Sequence, residues 1–584
     1  MNGDVDISGS LNITGNLTVT NQNDITIINT TVNEYTSIVT EDISLNGKLS
    51  VSDDVSFNSK LYVQDSIQLG IGRIPVQTRI ITVEGAEEET TTIGTEWAQL
   101  GGDIDGEAAG DQSGTAVAIS SDGSIVAIGA PFNDGNGADS GHVRVYQRDT
   151  NKTAAVTDQN SPSFGPVGWT RLGQDIDGEA AGDKSTHVNG VSLSSDGTIV
   201  AIGATDNSGD GGSRRGNTRV YQYTNNTWSK LGGDIDGEAN SDSSGYSVSL
   251  SSDGTIVAIS AHGNDGNGAQ SGHVRVYQRD SNKTSAITDQ NNSSFGPVGW
   301  TRLGQDIDGE LAADYSGAKV SLSIDGLIVA IGAHNNDGNG NQSGHVRVYQ
   351  YTNNTWSQLG GDIDGEAEGD QSGRGVSLSS DGSIVAIGAP YNDGNANVAG
   401  HVRVYQRDSN KTVAVTDQNS ASFGPVGWTR LGQDIDGDVE NDAAGWCVSL
   451  SSDGSILAVG VTGYSRITGS QGRARVYQYD GLNNNWTKLG DDIIGEAEQD
   501  YFGKALSLSS NGTILAVGAQ YNDVNGLSSG HVRVYSIATS TTVSGTTTTH
   551  ALDICGNFYA QYPDNSIPLS AIYGGGAQGP TGAQ

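Results

Sequence analysis

Residues 228–239 read W-S-K-L-G-G-D-I-D-G-E-A, residues 244–261 read S-G-Y-S-V-S-L-S-S-D-G-T-I-V-A-I-S-A, and residues 264–277 read N-D-G-N-G-A-Q-S-G-H-V-R-V-Y. The runs around Tyr246–Leu250, Ile256–Ile259 and His273–Tyr277 predict three short strands, and a fourth surrounds the next tryptophan, Trp300. S-S-D-G between the first two is a tight hairpin turn. The same phrase returns seven times, opened by Trp97, Trp169, Trp228, Trp300, Trp356, Trp428 and Trp486. A period of several tens of residues with about four strands in each is the signature of a closed repeat architecture.

Seven such units predict an all-β fold, a seven-bladed β-propeller of four-stranded antiparallel blades. After the last H-V-R-V-Y, His531 to Tyr535, no W-x-x-L segment follows, whereas the first, Trp97 to Leu100, precedes every other repeat strand. The seventh blade is therefore expected to borrow its outer strand from the start of the domain. That exchange closes the ring and removes exposed sheet edges.

Composition agrees with many strands and tight turns: of 584 residues 84 are Gly and only 10 Pro. Lys and Arg number 30 against 68 Asp and Glu, a formal net charge of −38. Such a field repels nucleic acid and anionic membrane, so no nucleic-acid partner is expected. No apolar run approaches the ~20 residues that span a bilayer, so no membrane insertion is expected either. The two cysteines, Cys447 and Cys555, make no disulfide framework or zinc spacing. Met1-Asn2-Gly3-Asp4 lacks the basic and apolar regions of a secretion signal, as expected if export takes another route or the natural start lies upstream.

The repeats resemble FG-GAP repeats, the blades of integrin α-subunit propellers. Phe502-Gly503 with Gly518-Ala519, Gly129-Ala130-Pro131 and Gly388-Ala389-Pro390 carry the resemblance, which covers about residues 97–535. It implies the propeller fold and is nearly silent on ligand. Integrin-type blades carry an Asp-rich calcium loop between strands one and two. Here that hairpin has shrunk to S-S-D-G, as at Ser120 to Gly123, so the family's calcium site is not carried over.

Four regions are predicted: 1–70 a stalk, 71–95 a linker, 96–536 the propeller and 537–584 a tail. The stalk has apolar pairs six residues apart, such as Val5/Ile7, Leu11/Ile13 and Leu17/Val19. One small apolar face per six residues must stack on itself or on identical chains. The segment resembles phage and large-virus tail-fibre stalks, with Gly15 to Thr20 and Ile28 to Val32 as the matching runs; that implies a homotrimer. The plain alternative is a non-oligomeric β-meander. Residues 576–584 form three Gly-X-Y triplets, a collagen-like ending.

The D-I-D-G-E-A segment and N-D-G-N-G are expected on one face, as 4–1 and 2–3 loops. The first copy places Asp103, Asp105, Glu107 and Asp111 in sequence. The spacing recurs as Asp175, Asp177, Glu179 and Asp183; Asp234, Asp236, Glu238 and Asp242; Asp306, Asp308, Glu310 and Asp314; and Asp362, Asp364, Glu366 and Asp370. The sixth copy has Asp434, Asp436, Asp438 and Asp442, and the seventh Asp492, Ile494, Glu496 and Asp500. Carboxylates at i, i+2 and i+4 of an extended segment point one way and suit calcium, with Asp134 and Asn136 completing the shell. The alternative is that these side chains cap turns.

Long connections after blades one, three and five, as at Arg148 to Trp169, offer either a binding rim or packed ornament. Five histidines recur in the G-H-V-R-V-Y strand, which argues structure rather than catalysis. No cofactor other than calcium is expected. The blades look nearly uniform, and no Ser-His-Asp set, P-loop or nucleotide fingerprint appears, so no enzyme is expected. The expected function is a fibre or surface attachment protein, on a virion or otherwise extracellular. Its propeller head would bind a host-surface glycan or protein. The alternatives are a secreted or cell-surface adhesin of a marine microbe and a carbohydrate-active propeller enzyme.

Overall fold

The apolar runs form the strands expected of them. The computed structural model describes residues 88–208, 213–463 and 471–544, and among these there is no helix. The predicted stalk, the first part of the linker and the Gly-X-Y tail lie outside the described residues. Strands group into seven antiparallel sheets, each ordered inner, second, third and outer. In the third blade these are Ser244–Leu250, Ile256–Ala261, His273–Arg279 and Trp300–Arg302. After the outer strand the chain bends and pairs again with the third strand through Ile307–Asp308.

Inner strands of consecutive blades touch all the way round, the seventh against the first. The core lies between blades rather than within them. Ile199, Ala201 and Val220 of the second blade, for example, pack on Val248, Val257, Tyr277 and Trp300 of the third. Third strands are buried on both faces: in the first blade Val143 and Val145 face the second, while Tyr146 packs towards the seventh.

Two belts of hydrogen bonds complete the circle. Backbone N–H groups in the S-S-D-G hairpins donate from Ser121 to Ser195, Ser195 to Ser252, Ser252 to Ile324, Ile324 to Ser380, Ser380 to Ser452, Ser452 to Ser510 and Ser510 back to Ser121, all at 2.8–2.9 Å. Each tryptophan indole donates to the leucine carbonyl of the preceding W-x-x-L: Trp169 to Leu100, Trp300 to Leu231, and finally Trp97 to Leu489 at 3.0 Å.

Closure follows the expected route. Glu88–Gln99 pairs with His531–Ser544 as the outer strand of the seventh blade, with Trp97 opposite Ile537 and Gln99 opposite Tyr535. The closing ribbon is longer than the predicted boundaries of 96 and 536. Beyond a bulge between Ile93 and Trp97, Thr90 to Thr92 stand opposite Thr542 to Ser540. Threonine is polar, which reads as linker, but its β-branched Cβ favours extended backbone once a partner strand is supplied.

Candidate functional site

The 4–1 and 2–3 connections share one face, as predicted. Asn133, in a 2–3 loop, donates to Asp111 (2.9 Å) and Glu107 (3.0 Å) in a 4–1 loop. The carboxylates of one loop, however, are not brought together. Asp103 accepts from Arg533 of the seventh blade at 2.9 and 3.0 Å, while Glu107 pairs with Arg144 of the first. Asp111 caps its own turn, accepting from Ala108 N at 3.1 Å.

The other loops divide in the same way. Asp175, Asp306 and Asp434 bind Arg144, Arg275 and Arg403, whereas Asp234 pairs with Lys230 and Asp362 accepts from Gln358. Glu179, Glu238, Glu310, Glu366 and Asp438 reach Arg219, Arg275, Arg347, Arg403 and Arg475 of the following blade. Asp183, Asp242, Asp314, Asp370 and Asp442 each accept a backbone N–H three residues back. Asp105, Asp177, Asp236, Asp308, Asp364 and Asp436 sit in the short second pairing, opposite residue 531, 142, 217, 273, 345 or 401 of the third strand. Desolvation raises the pKa of five of these six, and Asp364, beside Asp362 and Glu310, is pushed to about 6.

The geometry does not fit the calcium shell pictured from one loop. Glu107 and Asp175 from neighbouring loops do converge with the strand residue His142, and four other blades repeat the trio. The guanidinium of Arg144 bridges the two carboxylates of that trio, with its side chain only 6% exposed. Arg144 thus already brings a positive charge to both carboxylates. Asp134 and Asn136 cap as well: Asp134 accepts from Asp139 N, and Asn136 donates to Gly178 O and Glu179 O. The strand histidines are buried beside these arginines, and His142, His345 and His401 are held neutral with pKa values pushed down to about 4 by desolvation.

The long odd-blade connections fold back as packing. Lys152 Nζ donates to Trp169 O at 2.9 Å, Gln159 Oε1 accepts from Arg144, and Phe164 lies 5.3 and 5.0 Å from the Arg144 and Arg171 guanidiniums.

A different site emerges on the axis. A cavity of about 240 Å³ is lined by residues of all seven blades, and none of the lining residues is acidic. Thr115, Tyr246, Ala318, Arg374, Trp446 and Lys504 line it from one repeat position, immediately after the glycine that opens each inner strand. That glycine turns the next side chain into the mouth: Gly373 has φ +92°, and a Cβ there would meet His345 O at 2.6 Å. The second blade instead carries a two-residue longer corner, where Thr186 (φ 71°) and Val188 (φ 77°) adopt left-handed backbone and place His187, Val188 and Asn189 in the wall. β-branched residues held there are strained, a feature that clusters at binding sites. The blades thus differ also where they meet the axis, beyond the alternation of their long and short connections, a correction to their near-uniform look in the sequence.

The cup is aromatic and cationic. The Arg374 guanidinium lies 4.9 Å from the Trp446 ring and 5.8 Å from that of Tyr391, and Lys504 Nζ lies 5.9 Å from Trp446. Arg374 Nε donates to Gln371 Oε1 at 2.9 Å, and Arg374 has no ion-pair partner among the described residues. The Tyr246 and His262 rings meet at a tilt with centroids 3.8 Å apart, and Tyr315 and His334 continue the row in an adjoining recess that shares Tyr246, His334 and Arg374. Burial pushes the pKa of His262 to about 4 and of His334 to about 3, so both are neutral imidazoles. His262 Nδ1, His334 Nδ1 and Gln520 Oε1 are buried without a hydrogen-bond partner among the described residues.

The family model for the FG-GAP repeat matches residues 104–146. No curated protein matches the chain. Among solved structures the chain is similar to a Bacteroides uniformis protein assigned as a 6-phosphogluconolactonase, at 11% identity and TM-score 0.40, covering 66% of this chain and 86% of that one. It is also similar to the periplasmic gluconolactonase PpgL of Pseudomonas aeruginosa (14%, TM-score 0.38, 70% and 97% covered) and to Sqt1 of Saccharomyces cerevisiae (11%, 0.36, 74% and 84%). Likenesses this distant carry no argument about activity. The chain has the seven-bladed propeller fold and carries an FG-GAP repeat.

Proposed function

We propose that the chain is a non-enzymatic attachment protein of a virion or other extracellular surface, binding a host-surface glycan or protein through the axial cup. The flanking stalk is proposed to associate as a homotrimer, presenting several heads at once and raising avidity. One observation carries the role: a single repeat position holds six different residues, Thr115, Tyr246, Ala318, Arg374, Trp446 and Lys504, and all six face one cavity. Packing alone asks for the same residue in every blade; a ligand asks for different ones. Aromatic rings and a few fixed charges are the usual lining of ligand pockets.

The test is a glycan array probed with the labelled full chain and with its Trp446→Ala variant. Binding that depends on Trp446 supports the role; equal binding by both overturns the cup as the site, and none by either overturns the glycan reading. A carbohydrate-active enzyme is the second reading, favoured by two imidazoles in the cup, His187 and His334, with a third, His262, in the adjoining recess. New reducing ends released from a bound glycan would decide for it.

A further inference from the structure

The charge of the cup runs against that of the chain. With 68 acidic residues against 30 basic ones, an axial cavity without a single acidic lining residue is a local reversal. Two cations, Arg374 and Lys504, flank the Trp446 ring. Lys319, which follows Ala318 on the inner strand of the fourth blade, donates to the cup residue Asn189 at 3.1 Å, and burial lowers its pKa. In the same wall lie neutral groups with nothing to bond among the described residues: His334 Nδ1, in the fourth blade next to that of Arg374 and 8% exposed, and Gln520 Oε1, in the seventh blade with Lys504 and 2% exposed. Buried polar atoms left unpaired are costly unless something completes them.

A ligand that satisfies this wall needs an anionic group, several hydroxyls and a flat apolar face. We infer that the cup takes a sugar ring bearing a single anionic group, a carboxylate or a sulfate, an inference that rests on the cup being the binding site. Arg374 and Lys504 take the anion, His334 and Gln520 bond ring hydroxyls, and Trp446 with Tyr246 meets the apolar ring face. The guanidinium suits a carboxylate or sulfate because both present paired oxygens to its fork. A cavity of about 240 Å³ is on the scale of one ring rather than a long chain.

Calorimetric titration of the full chain with three oligosaccharides of equal length tests this: a uronate oligomer, a sulfated galactan oligomer and a neutral galactan oligomer. An anionic oligomer is expected to bind at least tenfold tighter than the neutral one, and the two anionic arms tell carboxylate from sulfate. Arg374→Gln is expected to weaken the preferred oligomer roughly tenfold to a hundredfold, as for loss of a charge-assisted contact, and Lys504→Gln to weaken it as well. Arg374→Lys should restore part of the loss, which separates charge from folding damage. Equal affinity for the neutral oligomer, or no effect of Arg374→Gln, overturns the anion assignment. If Trp446→Ala still abolishes binding in that case, the cup survives as the site and only the ligand class falls. If none of the three binds, the anionic-sugar inference falls, and the glycan array decides on the cup separately.

Discussion

Replacing Trp97 by Ala probes the seam of the ring. Trp97 is half-buried and packs on the cluster between the sixth and seventh blades, whereas Trp300, at the same repeat position, is fully buried. Its indole N–H donates to Leu489 O, a partner 392 residues away in sequence. Half of a tryptophan's contact area, on the order of 100 Å², contributes about 2.5 kcal/mol at about 25 cal/mol per Å². An unmet carbonyl adds about 1 kcal/mol. The expected loss is therefore about 3–4 kcal/mol, below the ~5 kcal/mol reached by truncating a fully enclosed aromatic such as Trp300. Trp97→Phe, which keeps most of the area, should lose only about 1 kcal/mol. Urea unfolding followed by circular dichroism reads each value from the shift in midpoint at constant slope. A loss under about 1 kcal/mol for Trp97→Ala would show that the ring holds without this seam, and the closure argument would be wrong.

Three further outcomes follow from the loops. Arg403, 5% exposed between Glu366 and Asp434, is expected to cost about 3–5 kcal/mol on replacement by Ala, because two partly buried carboxylates lose their cation; a loss under 1 kcal/mol refutes its bridging role. Adding a calcium chelator should leave the melting temperature of the wild-type chain within about one degree, since arginine already neutralises these loops; a fall of several degrees would restore a metal. Asp364, raised to about 6 by desolvation and by Asp362 and Glu310, favours the folded state when protonated, so its contribution is present below about pH 4 and lost as pH rises through 6. Asp364→Asn should therefore melt higher than wild type at pH 7.5 and equally at pH 4; the opposite order refutes the assignment.

How far the sequence disclosed this molecule depended on what each residue type signals. Alternating Val and Ile marked the strands, and the unpartnered Trp97 segment gave away closure, because both reflect local period and simple bookkeeping of strands. The single-loop grouping of the carboxylates was not legible. Residues at i, i+2 and i+4 share a face only while the backbone stays extended, and Gly106 lets the chain turn just after Asp105 pairs with His531. Asp103 thus answers to one blade and Glu107 to the next. Arg144 was overlooked because arginine between valines reads as an outward face, yet the third strand is buried on both sides. The cup stayed hidden for a different reason: a consensus averages away the very positions that differ, and Arg374, Trp446 and Lys504 are visible only as departures from it.

The paired ends of the ring carry a mechanical consequence. Glu88 and Ser544 face each other at one end of the closing ribbon, so the polypeptide enters and leaves the circle side by side. Tension that draws both flanks in one direction leaves that ribbon nearly unloaded. Tension that draws them apart loads it as a zipper, rupturing one cross-strand pair at a time from the Glu88 end towards Tyr535. The direction of pull, more than its size, would then decide whether the circle opens.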